Sequence, residues 1–167
     1  MFKVSSFLNI LKPDKFYFYI LILLFLDILT KQFALSNLSH GVSKDFIPFV
    51  DLLLIYNSGI AFGFLDFGEK FFSNLLMFIG IAIVIYILVL LKEEKDYLKK
   101  MSLTFIAGGA LGNIVDRLPD GYVTDFLHLK INNFSFFIFN FAEAYISIGA
   151  ALFFLTECKK FLHNRSG

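Results

Sequence analysis

Apolar residues fall into four runs, 16–35, 71–91, 101–118 and 136–155, each near the about 20 residues that cross a bilayer as a helix. The third is the shortest, and its Ala107-Gly108-Gly109-Ala110-Leu111-Gly112 stretch predicts a helix pressed closely against its neighbours. Between the first two runs, FIPFVDLLLIY at 46–56 is apolar and β-prone and is followed by the turn-like Asn57-Ser58-Gly59. The next stretch, IAFGFLDFGEKFF at 60–72, is amphipathic. The pattern predicts a small sheet or interfacial element resting on lipid headgroups. With no internal repeat, low-complexity tract or composition break, residues 1–167 read as one domain.

Polar residues interrupt the runs in a regular way. Asp27 and Lys31 are i,i+4, Asn113 and Arg117 are i,i+4, and Asn140 and Glu143 are i,i+3, so each set shares a helical face. Basic residues orient the runs. Lys3, Lys12 and Lys15 precede the first, Lys92, Lys95, Lys99 and Lys100 separate the second and third, and Lys159, Lys160 and Arg165 follow the fourth. The positive-inside rule then places both termini and the 92–100 loop in the cytoplasm, with the 36–70 and 119–135 connections outside. At 1.5 Å per residue, Asp27 and Lys31 fall roughly 8 to 14 Å below the outer end of their helix, and Asn140 and Glu143 roughly 6 to 10 Å below the outer surface. Asn113, Asp116 and Arg117 reach the same layer from the third run, so the polar residues converge in the outer third of the bilayer.

Composition agrees with a membrane chain. Hydrophobic side chains make up 57% of the 167 residues, with 24 Phe and no Trp, and mean hydropathy is +0.73. A net charge of +1 gives no field directed at nucleic acid. The single cysteine, Cys158, excludes an intramolecular disulfide, and His40, His128 and His163 begin no metal-ligand spacing. Cys158 beside Lys159 and Lys160 is a site for reversible acylation or an inert thiol, the latter favoured. Ala34-Leu35-Ser36 resembles a leader cleavage site, but Asp27 and Lys31 inside a long apolar run favour a retained span.

Ionisable groups at membrane depth pair and mark function. Asp125, in the outer 119–135 connection, lies at the level where Glu143 enters the membrane, and two carboxyls that share a site hold one proton between them. Such a pair activates water in aspartic proteases. Structural readings stand beside this one: an Asp27–Lys31 ion pair, an Asp116–Arg117 pair at a helix end, and Asn113 and Asn140 as interhelical hydrogen-bonding groups. Glu143 fits packing least well, and a protease and a proton-coupled transporter both remain open.

The chain resembles the bacterial lipoprotein signal peptidases, the type II signal peptidases, over nearly its whole length. The resemblance is carried by LDILTK around Asp27 and Lys31, YNSGIAFGFL from Tyr56, GGALGNIVDR from Gly108, VTDF around Asp125 and FNFAEA from Phe139. It implies an all-α membrane protein, a four-transmembrane-helix bundle with a small extracytoplasmic β-cradle and an interfacial helix. It implies an aspartyl endopeptidase of the cytoplasmic (inner) membrane, a monomer using neither metal nor organic cofactor, with its site toward the outer leaflet. Its partners would be membrane lipid and prolipoproteins bearing a diacylglyceryl-modified cysteine, cut just before that cysteine. By the motifs, Asp125 is one catalytic acid, and Asp27, Lys31, Asn57, Gly59, Asn113, Asp116, Arg117 and Asn140 support the site. The second acid of the family pattern Phe-Asn-x-Ala-Asp is here Glu143. Glutamate keeps the acid but moves it by about 1.5 Å, a scale at which misplacement costs about a hundredfold in rate. Three readings follow: an active enzyme adjusted to glutamate, a slowed one, or an inactive relative that binds lipidated peptides.

Overall fold

The computed structural model describes residues 14–59, 69–131 and 134–165. Within them lie four helices and a four-stranded antiparallel sheet: α1 (Lys15–Asn37), β1 (Ser43–Ile47), β2 (Val50–Asn57), α2 (Glu69–Glu93), α3 (Tyr97–Arg117), β3 (Val123–Ile131), β4 (Phe134–Phe139) and α4 (Phe141–Arg165). The strands form a simple meander, β1-β2-β3-β4. Residues 60–68, which hold most of the expected interfacial helix, lie outside the described residues.

Helix ends follow local chemistry. Asp14 opens α1 by accepting the Phe16 N–H at 3.4 Å, and Asp96 opens α3 by accepting the Lys99 N–H at 3.0 Å. Pro119 and Gly121 close α3. Gly121, at φ 91°, turns the chain toward β3 while its N–H donates to the Arg117 carbonyl at 2.9 Å. The Ser73 hydroxyl donates to the Gly121 carbonyl and ties α2 to that turn.

Among the described residues three helices are long and apolar enough to cross a membrane: Lys15–Asn37, Ser73–Glu93 and Phe141–Leu162. Their apolar side chains point outward to an unusual degree. Phe18, Phe25 and Phe33 on α1, Phe78 and Ile85 on α2, and Phe154 on α4 are all exposed, the surface expected of helices bathed in lipid rather than water. Helix α3, less apolar, packs against the other three and most extensively against α4. Its glycines make that possible. A methyl at Gly109 would strike the Ala142 carbonyl of α4, and one at Gly112 would strike the Asp27 carboxylate of α1.

The expected helix-rich chain with a small sheet is found: β1 to β4 make a small antiparallel sheet, and β3 takes up most of the connection read as a loop at 119–135. One boundary is corrected. The fourth helix begins at Phe141, not 136, because Phe134–Phe139 pair with β3 (Leu127 opposite Phe139, His128 opposite Ile138). An uninterrupted apolar run does not reveal where strand pairing gives way to helix.

Apolar packing falls into two clusters. Phe16, Ile20, Ile87, Leu91, Leu103 and Ala107 join α1, α2 and α3 at one end. Ala34, Phe126 and Leu127 join α1 to the sheet at the other, with Leu52, Phe139 and Phe141 packed around them. Along α1 the order is Ile20, then Asp27 and Lys31, then Ala34. The polar groups therefore occupy a layer between two hydrophobic cores.

Candidate active site

The layer is built on one buried cation. Lys31, 3% exposed, lies 2.8 Å from Asp27 Oδ2 and 3.2 Å from Asp116 Oδ2, and donates to Asn113 Oδ1 at 2.8 Å. Each partner then holds backbone elsewhere. Asp27 Oδ1 accepts the Ala142 N–H at 2.8 Å, so a carboxylate from α1 caps the first turn of α4 and complements its positive end. Asp116 accepts the Thr124 N–H at 2.6 Å and the Thr124 hydroxyl at 3.3 Å, fixing the residue before Asp125. A buried charge pair of this kind persists only with its lone pairs filled, and here the filling groups set the start of α4 and the start of β3.

Asp125, 2% exposed, is held from both sides. Asn57 Nδ2 donates to Oδ2 at 2.8 Å and Asn140 Nδ2 to Oδ1 at 2.6 Å. The Asn57 contact follows from register: Asp125 pairs with Ile55 and Val123 with Asn57, so the two side chains are diagonal neighbours on one face. Asn57 in turn accepts the Gly59 N–H at 2.7 Å, with Gly59 at φ 82°. Only glycine adopts that backbone freely, and a side chain there would also press on Leu76 and come within 3.3 Å of the Arg117 guanidinium. Burial pushes the Asp125 carboxyl above its ordinary value, and the two amide donors oppose that shift.

Asn140 does not share a helical face with Glu143, as the spacing suggests. It stands just ahead of α4 as the capping residue, accepting the Glu143 N–H at 3.0 Å on Oδ1. That bond fixes its amide orientation and aims Nδ2 at Asp125. Glu143 accordingly lies in the first turn of α4. Its carboxylate is within electrostatic reach of Asp125, Lys31 and Arg117, and Arg117 likewise feels Asp116, Asp125 and Glu143. The buried Arg117 Nε has no hydrogen-bond partner among the described residues.

All ten residues singled out from the sequence, Asp27, Lys31, Asn57, Gly59, Asn113, Asp116, Arg117, Asp125, Asn140 and Glu143, thus meet in one region. Sequence reasoning missed Thr124 and the Ala142 N–H. Backbone donors leave no residue-type signal, and Thr124 was visible only as part of VTDF.

Residues 19–159 match the family model described as signal peptidase (SPase) II. The chain belongs to the signal peptidase II family. It is 41% identical over 141 residues to a lipoprotein signal peptidase of Polynucleobacter necessarius subsp. necessarius (strain STIR1), covering 84% of this chain and 86% of that one. A lipoprotein signal peptidase of Burkholderia thailandensis is 38% identical over 84% of this chain and 85% of its own. Two bacterial membrane enzymes solved by the in meso method share the fold. One, at 2.3 Å, has a TM-score of 0.76, 25% identity and coverage of 88% of this chain and 89% of its own. The other, at 1.9 Å, has a TM-score of 0.74, 27% identity and coverage of 85% and 91%. In this signal peptidase II family member the buried Asp27, Lys31, Thr124, Asp125 and Asn140 gather between α1, α3, α4 and the sheet.

Proposed function

We propose that this chain is an active membrane aspartyl endopeptidase that removes signal peptides from diacylglyceryl-modified prolipoproteins by cutting just before the lipidated cysteine. The observation that carries the reading is the clamped Asp125 carboxylate, gripped by Asn57 and Asn140 and in electrostatic contact with Glu143. Two amide donors favour negative charge on Asp125, so Asp125 is the base and Glu143 carries the shared proton. Water between them loses a proton to Asp125 and attacks the scissile carbonyl. Glu143 donates its proton to the carbonyl oxygen; as the gem-diol intermediate collapses, the proton held on Asp125 passes to the leaving amine and a hydroxyl proton returns to Glu143. Arg117, whose buried Nε has no partner among the described residues, would face the charge that develops. Asn113 and Asp116 keep Lys31 in place, and Gly59 shapes the loop over the site.

In this reading α3 crosses the bilayer with the three apolar helices, giving four spans, cytoplasmic termini and a site toward the outer leaflet, beneath a sheet that cradles the substrate. The protein works as a monomer in the bacterial inner membrane, without metal or cofactor. The lipid tail delivers the scissile bond to the depth of the acids, removing translational freedom before chemistry begins. Glutamate at 143 keeps an acid within electrostatic reach of Asp125, which supports an active enzyme.

The test is cleavage of a purified diacylglyceryl-modified prolipoprotein with product masses recorded. Release of the signal peptide, with a lipidated cysteine as the new N-terminus, supports the reading. Equal cleavage of an unlipidated Cys→Ser substrate contradicts it.

A further inference from the structure

Two hairpin ends of the sheet lie side by side, and both carry exposed apolar residues. β1 turns into β2 through Pro48 and Phe49, with Ile47 opposite Val50. β3 and β4 end at the facing pair Ile131 and Phe134. The Lys130 N–H donates to the Phe49 carbonyl at 2.9 Å and joins one tip to the other. Phe46, Ile47, Phe49, Ile131, Phe134 and Phe136 are all exposed, Phe134 by 76%. Residues 46–49 and 131–139 contain no charged side chain. An apolar patch of this kind signals contact with a partner or a membrane.

Phe49 is the less expected member. Its φ of 70° puts it in the left-handed region, at the turn position after proline that Gly or Asn occupies without strain. A bulky aromatic there is an outlier, and at 60% exposure it gains little from packing within the chain. Contact with an apolar phase outside the chain would offset the backbone cost.

Depth identifies that phase. Phe137 of β4 and Ile148 of α4 wall the same cavity. Ile148 lies two turns into α4, about 10 Å from its start, on a helix apolar enough to span. β4 therefore runs beside the span rather than beyond its end, and Phe134 lies about 10 Å farther along the strand. The patch continues the outward apolar surface of α4, where Ile148 and Phe154 are exposed. β4 is an edge strand, and unpaired backbone groups are costly in the hydrocarbon centre. The boundary between headgroups and acyl chains suits both the rings and the free edge. We infer that the two tips insert together into the lipid leaflet on the sheet's side, with Phe49 and Phe134 at that boundary. They anchor the sheet, and with it the β3 strand that carries Asp125. The inference needs the membrane placement alone and not the peptidase chemistry.

The chain contains no tryptophan, so Phe49→Trp and Phe134→Trp each introduce a single fluorophore. Phe46→Trp replaces the first should the turn reject the larger ring, and Phe154→Trp is the reference for a side chain facing lipid. Each variant is reconstituted in phosphatidylcholine vesicles, plain or brominated high on the acyl chains or near their ends. Both tip variants should lose emission by about twofold in vesicles brominated high on the chains, the depth of an interfacial ring. They should lose less in vesicles brominated near the chain ends, and aqueous acrylamide should quench them more weakly than free tryptophan. Emission unaffected by brominated lipid overturns the inference: with strong acrylamide quenching the tips stand in water, and with none a second copy or another protein covers them. Quenching by lipid at one tip alone overturns the paired anchor.

Discussion

At the scale of single residues, the site is a problem of holding charge away from water. Burial raises the Asp125 carboxyl, and Asn57 and Asn140 counter it by donating to the ionised form. Deleting one donor therefore lets burial dominate further. Asn57→Ala is expected to move the acid limb of the pH–rate profile to higher pH, because more of Asp125 is protonated, and so unable to accept a proton from water, at any given pH. A pH profile of kcat/KM checks this, and an unmoved or downward-shifted limb speaks against Asp125 as the base. Asn140 is less clean as a probe, since its amide also caps α4.

At the scale of elements, α1 grips α4 through a carboxylate rather than through packing alone. Asp27 is fully buried and accepts the Ala142 N–H, with Lys31 as its counter-ion. Lys31→Met leaves that carboxylate buried and unpaired, an expected loss of about 3–5 kcal/mol, while Lys44→Met on exposed β1 should stay within about 0.5 kcal/mol. Thermal unfolding in detergent measures both, and similar losses would count against the buried-pair account. Much of this was legible beforehand. The i,i+4 spacing of Asp27 and Lys31 announced the pair, and the run of glycines in α3 announced close packing. The start of α4 was not legible, because Phe136 to Phe139 suit a strand and a membrane helix equally, and only pairing with β3 decides between them. The role of Asn140 followed from that boundary, so it was misread as a helix-face partner of Glu143.

At the scale of the whole molecule, a polar layer sits between two apolar cores under a sheet, and the surface of the long helices is apolar. Four crossings put both termini on one side, whereas three would put them on opposite sides. Reporter fusions after Asp96 and after Gly167 should both report the cytoplasm by the positive-inside rule. A fusion after Gly121, beyond α3, should report the outer side, and a cytoplasmic signal there would remove α3 from the set of spans. The central claim is that Asp125 and Glu143 act on one water. The most direct measurement is single-turnover cleavage of a diacylglyceryl prolipoprotein by the unaltered chain, Asp125→Asn, Glu143→Gln and Glu143→Asp, each first shown to be folded. The account predicts a loss of about a hundredfold or more for each of the two amides and, for Glu143→Asp, no gain as large as tenfold. Normal turnover by either amide variant would contradict it.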